Sequence, residues 1–217
     1  MIVLNWGLID YDEAVKKQLS IVEEVAEGAT DVCVVCEHPP VVTAGRATQP
    51  GDIFAWQGSV IETSRGGRVT YHGPNQLVVY PIINLNRQRK SIPPRDIHGY
   101  LRCLENSLVH TLDAIGLKAE VRTTKASEDL GSSLTGVWVA EKKVASIGIA
   151  VKKWVTYHGL ALNVNRDERA FSGIKPCGFS SEIMTDVETE LVRINKPMIF
   201  KENIAKVLTD HLTSSLN

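Results

Sequence analysis

The chain has 217 residues, 43% of them hydrophobic and 23% charged, which is ordinary for a soluble globular protein and ample to bury a core without disulfide staples. A formal net charge of −1 excludes a globally basic nucleic-acid binder, though not a local patch. No apolar run approaches the length of a membrane span, and Met1 to Asp12 already carries Asp10 and Asp12 instead of the basic-then-apolar order of a signal peptide, so the expected address is the cytoplasm.

Asp10 is placed to cap a helix over roughly residues 11–27, with Ala14, Val15, Leu19, Val22 and Val25 at helical spacing and Gly28 as its stop. Val32 to Cys36 then reads as a buried strand. Cys33 and Cys36 have the C-x-x-C spacing of a redox or zinc motif, but residues three apart in a strand point to opposite faces. No second cysteine pair follows to complete a zinc site, so both are assigned to packing. Pro39 and Pro40 enforce extended backbone, and His38 beside them is expected to make a hydrogen bond in a loop.

Val60 to Thr63 is a short strand that delivers the chain to Arg65-Gly66-Gly67-Arg68-Val69-Thr70-Tyr71-His72-Gly73-Pro74-Asn75-Gln76. Three glycines and a proline bar an ordinary helix or strand here, and glycine lets another molecule approach the backbone closely. Leu77 to Ile83 is the next strand, with Pro81 suggesting an edge position or a bulge. Between Ser64 and Arg95 there is no acidic residue, while Arg65, Arg68, Arg87, Arg89, Lys90 and Arg95 all fall there. This is either a solvated surface or a local positive field that attracts an acidic partner.

Residues about 95–115 form an amphipathic helix through Ile97, Leu101, Leu104, Leu108, Leu112 and Ile115. Ala119 to Arg122 is a strand, and Thr123 to Leu134 a polar segment placed to cover a site. Gly136 to Ala140 and Val144 to Val151, joined by Glu141-Lys142-Lys143, read as a hairpin. Trp154 to Val164 is a further strand, interrupted at Tyr157-His158-Gly159. Phe171 to Phe179 is a loop holding Pro176-Cys177-Gly178, and Glu182 to Leu191 and Lys201 to Leu216 read as closing helices. The expected fold is a single α/β domain of the α+β type over 1–217, mixed sheets packed with helices, with about 180–217 as a closing helical segment.

Cys177 differs from the other three cysteines because it sits on a shaped turn instead of in a packed run. A thiolate is the reactive form of cysteine, and a lysine ammonium nearby would favour it and then serve as acid or base. On residue type alone, Cys177 remains either such a nucleophile or one more structural cysteine.

Four motifs lie in order along the chain. They are Arg65 to Val78, Lys143-Val144-Ala145-Ser146-Ile147-Gly148, His158-Gly159-Leu160-Ala161-Leu162-Asn163 and Pro176-Cys177-Gly178, with Glu37-His38-Pro39-Pro40 and Gly45-Arg46 in support. Together they closely resemble the octanoyltransferase family of lipoate biosynthesis. The resemblance implies the fold shared by lipoate and biotin protein ligases. It implies transfer of an octanoyl group from octanoyl-acyl carrier protein to a lysine of a lipoyl domain, such as those of 2-oxoacid dehydrogenase E2 subunits and the glycine cleavage H protein. It implies Cys177 as the acyl-thioester nucleophile and Lys143 as its acid/base partner. Acyl-binding residues would be Arg65, Gly66, Gly67, Arg68, Val69, Thr70, Tyr71 and His72, then Ser146, Ile147 and Gly148, then His158, Gly159, Leu160 and Ala161. No ATP, metal or other cofactor is expected, since thioester exchange is nearly balanced and transfer to an amine is downhill.

One position departs from the family pattern: Asn75 stands where glycine is usual, and asparagine's tolerance of left-handed backbone suggests that the turn survives. The nearest alternative is an ATP-dependent lipoate–protein ligase. Such relatives carry an extra glycine and an acidic residue around the loop and can dispense with the cysteine. A non-catalytic lipoyl-domain-binding protein is the other alternative, against which the presence of both Cys177 and Lys143 weighs.

Overall fold

In the computed structural model, which describes residues 1–122 and 135–217, the apolar strand residues alternate between two faces of one large sheet. The strands are β1 (Ile2–Leu8), β2 (Val32–Glu37), β3 (Val41–Ala44), β4 (Val60–Glu62), β5 (Thr70–His72), β6 (Gln76–Ile82), β7 (Glu120–Val121), β8 (Gly136–Val139), β9 (Lys142–Lys152) and β10 (Val155–Asn163). The large sheet runs β1-β2-β6-β10-β9-β8-β7, with only β1 and β2 parallel. A small second sheet runs β4-β3-β5. The polar segment Thr123 to Leu134 lies outside the described residues.

The helices are α1 (Tyr11–Ala26), α2 (Ile97–Ala114), α3 (Val187–Arg193) and α4 (Lys201–Leu216). Ala14, Val22 and Val25 of α1 pack with Val34, Cys36, Val78 and Tyr80 on one face of the sheet. Leu104, Leu108 and Leu112 of α2 and Ile204, Leu208 and Leu212 of α4 cover the other, against Cys33, Leu77 and Val79. The two cysteines of the C-x-x-C spacing thus point into opposite cores, and burial pushes the Cys33 thiol up to about 12 and Cys36 higher still.

Several sequence expectations change in detail. Asp10 does precede α1, but through its carbonyl, which accepts from the Ala14 amide, with no capping bond from its carboxylate. Gln18, a polar residue, takes a fully buried place on the inner face of α1. Strand β1 had no signal: it is a largely exposed edge strand whose register shifts between Asn5 and Gly7. Lys143 belongs to a strand and not to a turn. A two-residue connection at Ala140-Glu141, with Ala140 at φ 49°, closes the hairpin tightly and leaves Lys143 paired with Trp138. The expected helix at 182–191 is a short 3-10 turn, Ser181–Ile183, followed by α3. Met184 pairs with Lys143 as an isolated bridge in the gap between them.

Most of the arginines of the acid-free stretch do not add to an open positive surface. Arg65 is buried, Arg68 pairs with Asp52, and Arg87 and Arg89 converge on Asp31 at 3.0 and 2.5 Å. Arg95 bonds Asn86 and lies over the Trp154 ring. Asp31 also accepts from the Asn84 amide, while Arg89 reaches the carbonyl of Leu216, so one carboxylate links the start of β2, the end of β6 and the end of α4. Sequence spacing shows an arginine's charge but not the distant aspartate that neutralises it.

Removing one member of a buried ion pair strands the other charge. Asp31→Asn should therefore lower the free energy of unfolding by about 3 kcal/mol, read as a lower midpoint in urea with an unchanged slope. A midpoint within error of the parent chain would show that the cluster is solvated.

Candidate active site

The site begins with a proline in the middle of a sheet. Pro81 is neither at an edge nor in a counted bulge: β6 lies between β2 and β10. Pairing with β2 continues through Pro81 and Cys33. On the β10 side the ladder holds from Asn163↔Gln76 to Leu160↔Val79, then resumes only at Asn84↔Val155 in the same register. Between them Pro81, which has no N–H to give, stands opposite His158. Its carbonyl is taken by the hydroxyls of Thr156 (2.8 Å) and Tyr100 (3.2 Å). His158 turns to φ 57°, and its amide donates to the Gln18 side chain at 2.7 Å. The interruption read at Tyr157-His158-Gly159 is this opening. Gly159 is required beside it, because a Cβ there would collide with the carbonyl oxygen of Val79.

The glycine-rich loop is held over the opening by Arg65. All of its donors are engaged by neutral acceptors. Nε and Nη2 reach Thr43 Oγ1 at 3.3 and 2.8 Å, Nη2 also reaches the Thr43 carbonyl at 2.7 Å, and Nη1 reaches the carbonyls of Gly66 and Arg68 at 3.0 and 2.8 Å. Gly45 makes room for this fork, since a Cβ there would meet Arg65 Nη1 and the Gly67 carbonyl. The Gly66 amide donates to the Ile149 carbonyl at 2.9 Å, which ties the loop to β9.

Cys177 is brought to the same place by a strained turn. It sits at φ 53°, ψ 21° within Pro176–Gly178, a left-handed conformation that costs a non-glycine residue about 1–2 kcal/mol. Its amide donates to the Val69 carbonyl at 3.0 Å, and the preceding Lys175 amide donates to the Asp52 carbonyl at 2.7 Å. Strain held this way by surrounding bonds is characteristic of functional positions.

Together these elements line one narrow cavity. Arg65, Gly66, Gly67, Arg68, Thr70, His72, Ser146, Ile147, Gly148, His158, Gly159, Leu160, Ala161 and Cys177 all line it. Val69 and Tyr71 do not. Tyr71, on the alternate face of β5, and Val69 just before the strand pack with Val42, Phe171 and Ile174, with the Tyr71 hydroxyl on Asp167 at 3.1 Å. Lys143 is fully buried three residues before Ser146 on β9, its Nζ 5.9 Å from the centre of the Trp138 ring, and is not among the described residues that line the cavity.

Two lining residues carried no sequence signal, Tyr11 and Tyr80. Tyr11 opens α1, and Tyr80 precedes Pro81 in a strand that reads as core. They complete an aromatic shell with His38, His72 and His158. His38 Nδ1 donates to the Ile9 carbonyl at 2.7 Å, so its Nε2 accepts from the Tyr80 hydroxyl, also at 2.7 Å. The His38 bond is made from the loop between β2 and β3, as expected, and is buried. His72 Nδ1 donates to Gln76 Oε1 at 3.0 Å, while Gln76 Nε2 donates to Asn163 Oδ1 and the Tyr71 carbonyl. His158 meets the hydroxyls of Tyr11, Thr63 and Ser64 at 3.2–3.4 Å. Asn75 does not use left-handed backbone. Its carbonyl accepts from the Val164 and Asn165 amides, and its side-chain amide donates to the Asn165 carbonyl at 3.4 Å.

Burial holds these rings neutral. It lowers His38, lowers His72 well below the usual range, and lowers His158 to about 3, with Arg65 adding to the effect at His72 and His158. Burial also raises Tyr11 and raises Tyr80 well above the ordinary phenol value.

The paired sheets with a cavity between them define a protein of the lipoate and biotin ligase fold class. Lipoate-protein ligase A bound with ATP matches with a TM-score of 0.78 at 16% identity, over 99% of this chain and 85% of that one. Biotin protein ligase from Leishmania major in complex with biotin matches at 0.57 and 12%, over 97% and 72%. At those identities the likeness is one of fold. The model of the lipoyl protein ligase A/B catalytic domain matches residues 10–210. The octanoyltransferase of Bdellovibrio bacteriovorus is 50% identical over 192 residues, covering 87% of this chain and 88% of that one. The chain belongs to the lipoyl protein ligase A/B catalytic-domain family, among its octanoyltransferases.

A histidine whose folded value lies below its unfolded value of about 6.5 supports the fold fully above that pH and loses this support as pH falls. For His158, with a folded value of about 3, the loss from pH 6.5 to pH 5 is about 2 kcal/mol. Urea midpoints should fall over that window, and His158→Gln should flatten the slope. An unaltered slope in the variant would mean that His158 is solvated.

Proposed function

We propose that this chain transfers an octanoyl group from octanoyl-acyl carrier protein to a lysine of a lipoyl domain, through a thioester on Cys177. The observation that carries the reading is the strained turn that presents Cys177 to a cavity walled by Gly66, Gly148, Ile147, Leu160 and Ala161. Small and aliphatic walls suit an alkyl chain. Its place among octanoyltransferases supports the group that is moved.

In the first half-reaction the Cys177 thiolate adds to the donor's thioester carbonyl and the π electrons move to oxygen. The adduct collapses, the bond to the carrier's sulfur breaks, and that sulfur takes a proton from Lys143. In the second, the acceptor lysine's neutral amine attacks the Cys177 thioester, its proton passes to Lys143, and the Cys177 thiolate leaves. The first exchange trades one thioester for another and the second forms an amide, so no ATP enters. The neutral histidines in this reading shape and support the pocket and carry no proton. Acceptors are lipoyl domains, including those of 2-oxoacid dehydrogenase E2 subunits and the glycine cleavage H protein, and the reaction is placed in the cytoplasm.

Incubation with octanoyl-acyl carrier protein should add the mass of one octanoyl group to a peptide containing Cys177. Cys177→Ser should lose both the adduct and transfer. Lys143→Met should slow transfer by at least about 100-fold, the usual scale for a lost proton-transfer group. An active Cys177→Ser variant, or a requirement for ATP, would overturn the mechanism.

A further inference from the structure

Two cations line the acyl cavity, and they are not equivalent. Arg68 pairs with the buried carboxylate of Asp52. Among the described residues, no carboxylate pairs with Arg65. Its guanidinium is buried, and its five N–H groups all point at neutral oxygens of Thr43, Gly66 and Arg68. An arginine stays protonated in such a place. A buried charge without a counter-charge is costly to fold, and its position beside a cavity marks a functional candidate.

The groups that face it do not neutralise it. Tyr11 from α1 and Tyr80 from β6 are pushed up by burial and stay protonated, while His72 from β5 and His158 from β10 are pushed down and stay neutral. Cys177 shares the cavity with Arg65 and lies within reach of its field. The donors of Arg65 are occupied, so it is not available to grip a ligand, whereas its charge remains unmatched.

We infer that the Arg65 guanidinium is the fixed positive charge of the acyl site, favouring negative charge on the Cys177 sulfur and on the acyl oxygen of the tetrahedral adduct without touching either. It is a positioning residue in two senses: the fork fixes the loop, and the charge sets the potential inside the cavity. A preorganised charge in a water-poor site needs no rearrangement when the reaction occurs.

The inference rests on the reading of Cys177 as nucleophile, but its test does not need transfer activity. Alkylation by iodoacetamide reports thiolate, and peptide mapping locates it at Cys177. Arg65→Gln should slow Cys177 alkylation at pH 7 by about tenfold. If Arg65→Gln fails to fold, Lys143→Met decides. Its Cys177 should be alkylated at pH 7 faster than cysteine in an unstructured peptide, because Arg65 remains. A folded Arg65→Gln chain with parental alkylation, or a Lys143→Met chain alkylated no faster than the peptide, overturns the inference. Absent octanoyl transfer with the Arg65 effect intact would overturn the functional reading alone.

Discussion

One missing hydrogen bond organises this molecule. Pro81 lies in the middle of the large sheet, where every neighbour expects a ladder partner. The strand beside it has to open, and it opens at His158. That opening turns a histidine inward, brings Gly159 close to the Val79 carbonyl and leaves room between the two sheets. The freed backbone groups are all collected again, by Thr156, Tyr100 and Gln18. A sheet that closed its ladder here would have a packed core where this chain has a cavity.

The loop above the opening is stabilised by an unusual device. Its carbonyls turn toward a buried guanidinium instead of toward other amides. Five bonds from one rigid group to three residues fix the loop more tightly than glycine-rich backbone permits by itself. Among the described residues no carboxylate pairs with the same group, so in the inference drawn above stability of the loop and electrostatics of the site come from one side chain. The ring of neutral histidines and tyrosines around it is consistent with this arrangement, since burial removes their charges and leaves that of arginine in place.

Much of this was legible in the chain. The amphipathic patterns located α1, α2 and α4, and the alternation of strand residues separated Cys33 from Cys36. Glycine and proline placement marked the loop at residues 65–76, the break near His158 and the turn at Cys177. Other residues were hidden. Tyr11 and Tyr80 look like core residues, and Gln18 looks like a surface residue. Each gains its role from a partner far away in sequence. The basic stretch stayed open between two readings, because Asp31 and Asp52 lie outside it and fold back onto it. Within the motif itself, period two alone separates Thr70 and His72, which line the cavity, from Val69 and Tyr71, which do not, and the starting face of a three-residue strand is not encoded locally.

The sequence by itself determined the fold class, the order of the motifs and the chemical types available at the site. These depend on local backbone preference and on residue chemistry, both of which are properties of neighbours in the chain. Only the tertiary structure decided which charges survive. Arg65, Arg68 and Arg89 are identical side chains a few turns apart. The first donates to neutral oxygens, while the other two each pair with a carboxylate. Whether a charge is cancelled or left standing depends on what lies within a few ångströms in space, and that distance exists only once the chain is folded.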